Sequence, residues 1–118
     1  ALYLYQNENK AITLQDIINH STLLHAKVVR LLLNKAKLKA TDIDLIGYHG
    51  QALYHKPDDG ITIEVGNGQF LANKLGIAVI DDFRTNDVKN GGQGAPLAPV
   101  YHQALSVRDK NFPIAVLN

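Results

Sequence analysis

Cysteine and methionine are both missing from the 118 residues. Without cysteine the chain can form no disulfide, no zinc–thiolate site and no thiol nucleophile, an absence that fits a reducing compartment. Methionine is missing even at position 1, which is Ala, so a fragment or processed product is expected. No apolar run approaches the roughly 20 residues needed to span a bilayer, and no signal-peptide pattern opens the chain. One-sided charge is missing too. Lys plus Arg is 12 and Asp plus Glu is 11, giving +1, and like charges do not cluster. Nothing therefore marks a nucleic-acid or anionic-membrane partner. A length of 118 residues suits one modest domain, not a two-domain enzyme.

What is present centres on residues 77–97. Four β-favouring apolar residues, Ile77 to Ile80, run into Asp81 and Asp82. A polar, glycine-rich stretch follows, and Pro96 opens a new apolar segment. This predicts a buried strand, a loop with free backbone N–H groups, and a helix from Pro96 to about Leu105. Ligands of open α/β folds sit just outside the carboxyl ends of the strands, so a carboxylate there suits chemistry on a charged or polyhydroxyl substrate.

Upstream, Thr13-Leu-Gln-Asp16 reads as a helix start, with Thr13 as cap and Asp16 near the positive end of the dipole. Helical periodicity continues to about Leu38. It sets Ile17, Leu24, Val28, Leu31 and Leu32 on one apolar arc, extended by Ile18, Val29 and Ala36. Asp16, Asn19, Lys27, Arg30, Asn34 and Lys35 fall opposite. Leu45 to Tyr48 predicts a buried strand, and the runs 50–56 and 61–65 predict antiparallel strands about the turn Pro57-Asp-Asp-Gly60. Gly66 to Gly68 breaks the second of these, and Gln69 to Leu75 predicts a short helix closed by Gly76. Ile114 to Leu117 predicts a last buried strand, and Leu2 to Tyr5 alternates weakly as a strand would. Because a domain rarely stops inside an apolar strand, the natural protein is expected to be longer at both ends. The class is α/β, with a mixed sheet and flanking helices.

Each candidate residue admits a plainer role. Strand alternation puts Asp81 on the side of Ile77 and Val79, and Asp82 with Ala78 and Ile80, so one of the two faces a given cleft. Either could equally cap the following turn, and Arg84 and Asp87 could simply form ion pairs. Gly91-Gly-Gln-Gly94 could offer N–H groups to phosphate or sugar oxygens, or act as a hinge. It is no Walker loop, since no Gly-Lys-Ser/Thr follows, and Gly66-x-Gly68 lacks the third glycine of a dinucleotide fingerprint. His49 and Gln51 follow a strand end, where an imidazole and an amide could converge. His25, on the apolar arc, reads as a core histidine with a backbone partner, and His55 and His102 as ordinary surface or partly buried residues. The five histidines show no metal-ligand spacing, so no protein-held transition metal is expected. The residues alone leave two readings open: a sugar- or phosphate-transfer enzyme with an aspartate base, or a non-catalytic binding domain.

Four segments narrow the choice: Ile46-Gly-Tyr-His-Gly-Gln51 with His55; Ile63-Glu-Val-Gly-Asn67; Gly76-Ile-Ala-Val-Ile-Asp-Asp-Phe-Arg84 with Asp87; and Gly91-Gly-Gln-Gly-Ala-Pro-Leu97 with Pro99 and His102. In order and spacing they resemble the anhydro-N-acetylmuramic acid kinase family, and the likeness covers about residues 13–118. It implies an actin-like ATPase fold of two ribonuclease-H-like lobes, with residues 1–118 as one incomplete α/β segment from its centre. It also implies a cytoplasmic phosphotransferase of peptidoglycan recycling that takes an anhydro amino sugar, water and ATP with Mg2+, and needs neither nucleic acid nor membrane. A homodimer is one assembly compatible with this reading. By the same resemblance Asp82 is the catalytic base and Arg84 holds Asp82 ionised or orients substrate. His49, Gly50, Gln51, Gly66 and Asn67 line the sugar side, and Gly91, Gly92, Gln93 and Gly94 lie near the reacting centre. Tyr48, Ala52 and Asp81 depart from the usual family residues. A kinase of the same superfamily acting on another sugar or on a carboxylic acid is a further alternative.

The family's N-terminal phosphate loop and the glycine-rich nucleotide motif are not found in these residues. The isolated 118-residue polypeptide is therefore expected to bind ATP poorly and to show no turnover in a coupled ADP-release assay with the anhydro sugar. Measurable turnover by the polypeptide alone would contradict this.

Overall fold

The computed structural model describes residues 12–110 together with Pro113 and Ala115. The strand expected at residues 2–5 lies outside the described residues, as does that expected at 114–117 apart from Ala115, which is exposed and in no strand. The chain divides into two units, Ala1–His55 with Ile63–Asp82, and Lys56–Thr62 with Phe83–Asn118.

In the first unit, helix α1 spans Leu14–Ala36. Its start follows from the sequence: Thr13 accepts the Asp16 N–H, and the Asp16 carboxylate accepts the Thr13 N–H in return, at 3.1 and 3.0 Å. The face it buries departs from expectation. Leu24, Val28, Leu31 and Leu32, expected on the core side, are 52, 63, 58 and 63% exposed. Thr22 and Ala26 are buried instead, with Val29 and Leu33 packed against the core. Small side chains at positions 22 and 26 leave room for close approach, which the bulkier leucines would block. Arg30, expected on the solvent side, reaches helix α2 (Gly68–Leu75), where its Nη2 donates to the Lys74 carbonyl at 2.6 Å. A cation at the C-terminal turn of a helix satisfies an orphan carbonyl and favours the dipole.

The core of this unit is Ala26, Tyr48, Leu71, Leu75 and Ile77. Strands β1 (Ile46–Gly47) and β4 (Val79–Ile80) lie beside it and pair in parallel, Ile46 with Val79 and Gly47 with Ile80. The ladder extends through Ile46 N–H to the Ala78 carbonyl and Tyr48 N–H to the Ile80 carbonyl, at 2.9 and 2.8 Å. Strands β2 (Gln51–Lys56) and β3 (Ile61–Val65) form the second sheet. Only a short turn joins them, and a parallel pair would need a crossover of about a dozen residues, so they run antiparallel. The α/β class with both strand directions is as expected, but the described strands form two small sheets and not a single one. Helix α2 begins one residue earlier than predicted and ends as predicted, with Gly76 at φ 68°.

In the second unit, helix α3 (Thr85–Lys89) occupies what the sequence predicts as loop, and α4 spans Ala98–Asp109. The proline in the first turn of α4 is Pro99, not Pro96, which fits the preference of proline for positions whose N–H has no intrahelical partner. Val88 and Ser106 are buried, and the Ser106 hydroxyl donates to the His102 carbonyl at 2.8 Å. No helix among the described residues is long and apolar enough to cross a membrane.

Leu71 is 1% exposed at the centre of the first unit's core. Leu71→Ala should destabilise the protein by about 2–5 kcal/mol, read as a lower denaturation midpoint. A midpoint matching that of the parent would contradict the packing described.

Candidate active site

The parallel ladder ends at Gly47 and Ile80. Continuing its register, His49 and Asp82 are the residues with which the two chains leave the sheet, and both are exposed. A parallel pair presents its carboxyl ends on one side, so these two residues emerge together.

The glycine segments close this end of the unit. Gly50 has φ 65°, and a Cβ there would stand 2.7 Å from the Val65 carbonyl oxygen. Only glycine permits both the turn and that approach. Gly66 lies against the buried Tyr48 ring and against Gly50. The Tyr48 hydroxyl is buried and has no hydrogen-bond partner among the described residues. Asn67 caps α2, its side-chain oxygen accepting the Phe70 N–H at 2.8 Å. Residues 48–50, 65–68 and 81–82 thus converge where β1 and β4 end and α2 begins.

The two neighbouring carboxylates have different surroundings. Asp81 Oδ2 accepts the Gly68 N–H at 2.9 Å, and a Cβ on Gly68 would overlap that carboxylate. Asp82 sits at φ 53°, in the left-handed region, which short polar residues tolerate better than others. Its carboxylate makes no hydrogen bond or ion pair among the described residues. Along the strand, burial alternates with Ile77 buried and Val79 half-buried against exposed Ala78 and Ile80, but Asp81 and Asp82 are both exposed, so the hydrogen bond and not burial separates them.

In the second unit the glycine loop folds onto α3. Gly91 N–H donates to the Val88 carbonyl at 3.1 Å, Gly92 N–H to the Asp87 carbonyl at 2.8 Å, and Gly94 N–H to Asp87 Oδ2 at 2.7 Å. This corrects the expectation of a loop with free N–H donors, because three of these amides are spent on their own turn. Arg84 Nη1 lies 3.4 Å from the Gly94 carbonyl, and Gln93 Nε2 lies 3.3 Å from Asp58 Oδ1. Asp87 therefore organises the loop, a role that the ion-pair reading missed. The run Asp-x-x-x-Gly-Gly-x-Gly was its available signal.

His25 is exposed, which corrects its assignment to the core, although its Nδ1 does lie 2.8 Å from the Ser21 carbonyl as expected. Its ring stands edge-on to Tyr48 at 5.1 Å. Between α1 and the end of β1 lies a pocket of ≈450 Å3, walled by Leu24, Val28, Val29 and Leu71 and flanked by His25 and His49. Its walls are mostly apolar; they reach His49 and Gly50 but not Asp82. Gln51 starts β2 and is exposed.

The family model described as anhydro-N-acetylmuramic acid kinase matches residues 2–118. A protein of that name from Azorhizobium caulinodans is 52% identical over 99 residues, covering 82% of this chain and 26% of its own length. Those from Rhizobium etli and Rhizorhabdus wittichii are 46% and 50% identical, covering 79% and 80% of this chain and 25% and 26% of their own lengths. The chain spans about a quarter of the length of the relatives it matches.

Gly50→Ala should lower stability by more than about 1 kcal/mol, because backbone strain and a backbone clash act together. Gly60→Ala, at φ 70° with nothing within 4 Å, should lose less. Melting temperatures of the two variants in the same preparation check the order, and the reverse order would contradict it.

Proposed function

The chain belongs to the anhydro-N-acetylmuramic acid kinase family, and from that premise we propose that the full-length protein is such a kinase. It converts 1,6-anhydro-N-acetylmuramic acid, water and ATP to N-acetylmuramic acid 6-phosphate and ADP. In this reading the residues described form part of an actin-like two-lobed fold and supply the sugar side of its cleft.

Asp82 is the general base. It takes a proton from a water that attacks the anomeric carbon, the bond from that carbon to O6 breaks, and O6 is released for phosphorylation. The observation that carries this is the division between the two carboxylates: both are exposed at the strand ends, but Asp81 is held by the Gly68 N–H, while no hydrogen bond ties the Asp82 carboxylate among the described residues. An ionised, accessible carboxylate is what general-base catalysis requires. His49, Gly50, Gln51, Gly66 and Asn67 surround the sugar, with Gly50 and Gly66 letting their two segments pack against each other. Arg84 orients substrate or keeps Asp82 ionised, and Gly91 to Gly94 lie near the reacting centre.

ATP supplies the phosphoryl group, and Mg2+ neutralises its charge. The described residues do not fit a phosphate cradle, since the amides of Gly91, Gly92 and Gly94 are engaged. No cluster of three or more metal-ligating side chains gathers among them. We therefore assign neither the nucleotide nor the ion to these residues, and leave both to other parts of the full-length enzyme.

Asp82→Asn in the full-length protein should reduce kcat on the anhydro sugar by about 10²–10⁴-fold, with KM little changed. Ordinary hexoses should be poor substrates for the parent enzyme. Turnover of hexoses at the rate of the anhydro sugar, or a fully active Asp82→Asn variant, would overturn the assignment.

A further inference from the structure

We propose that Asp81 is the positioning residue of this site, locking the base-bearing peptide to the start of α2. The inference rests on the kinase reading but on separate observations. Asp81 is fixed at both ends. Its backbone follows directly on Ile80, whose carbonyl accepts the last ladder bond from Tyr48 N–H at 2.8 Å. Its side chain crosses 13 positions back in sequence to the Gly68 N–H at 2.9 Å.

The first N–H groups of a helix have no intrahelical partner and carry positive partial charge, so a carboxylate is favoured there. Asn67 satisfies one of these on α2 and Asp81 satisfies another. Glycine at 68 is required, because any Cβ would occupy the space of the Asp81 carboxylate. The peptide between the two aspartates thus has little freedom, and Asp82 is held at φ 53°. Backbone in this region persists only where its surroundings determine it, and the Asp81 anchor is that determinant here. The same bond ties the base to Gly66 and Asn67, so base and sugar loop move as one piece.

The test uses full-length enzyme and the series Asp81→Ala, Asp81→Asn, Gly68→Ala and Asp82→Asn. Loss of the anchor should misplace the base by enough to cost about 10–100-fold in kcat/KM, with kcat falling and sugar KM rising together in Asp81→Ala and Gly68→Ala. Asn keeps an acceptor for the Gly68 N–H, so Asp81→Asn should recover most of the activity and retain the acid limb of the pH–kcat/KM profile. Asp82→Asn should lose that limb. If Asp81→Asn is as inactive as Asp82→Asn and also loses the limb, Asp81 is itself the base and the proposal fails. Asp81→Ala and Gly68→Ala variants that melt earlier yet keep parental kcat and KM would also overturn it, leaving Asp81 a purely structural cap. Amide exchange gives a readout independent of turnover: Gly68 should be protected in the parent and Asp81→Asn, and unprotected in Asp81→Ala. Equal protection in all three overturns the proposal. An inactive parent with the expected exchange pattern instead sinks the kinase reading while upholding the anchor.

Discussion

A carboxylate from the end of one strand, set on the first amide of a helix, determines how the candidate site is arranged. The Asp81–Gly68 contact joins β4 to α2, and α2 carries Leu71 and Leu75 into the core beside Ala26 of α1. The core therefore fixes the helix, the helix fixes Asp81, and Asp81 fixes the backbone from which the following residue projects. The parallel bonds from β1 to β4 fix His49 in the same frame. Every group assigned to the sugar side, apart from Gln51 on β2 and Arg84 in the second unit, lies within two residues of one of these anchors.

The second unit shows the same economy on a smaller scale. Asp87 receives the Gly94 N–H with its side chain and the Gly92 N–H with its carbonyl, so one residue sets the glycine loop. Four consecutive residues that looked like open donors are instead a closed turn on α3. Three of its four amides are taken up in this way, and the Gln93 side chain reaches Asp58.

Local chemistry was legible in the sequence, and the choice among packing faces was not. The Thr13–Asp16 box, the Pro57–Gly60 turn and the Gly76 terminus are specified by a few adjacent residues, and each stands where expected. The apolar arc of α1 was too broad to show which part is buried. Thr22 and Ala26 prevail because small side chains admit α2, and hydrophobicity alone does not register that advantage. The family motif singled out Asp82 from its neighbour in the sequence. What stayed hidden there is the partner of Asp81, because the Gly68 amide lies 13 positions away and only the fold brings it to that carboxylate.

The split of duties between the two acids is the central claim, and a crystal structure of the full-length enzyme with the anhydro sugar bound tests it most directly. The account predicts the Asp82 carboxylate within hydrogen-bond distance of a water facing the anomeric carbon, with Asp81 still on the Gly68 amide. A sugar-facing Asp81, with Asp82 turned away from the ligand, would contradict it.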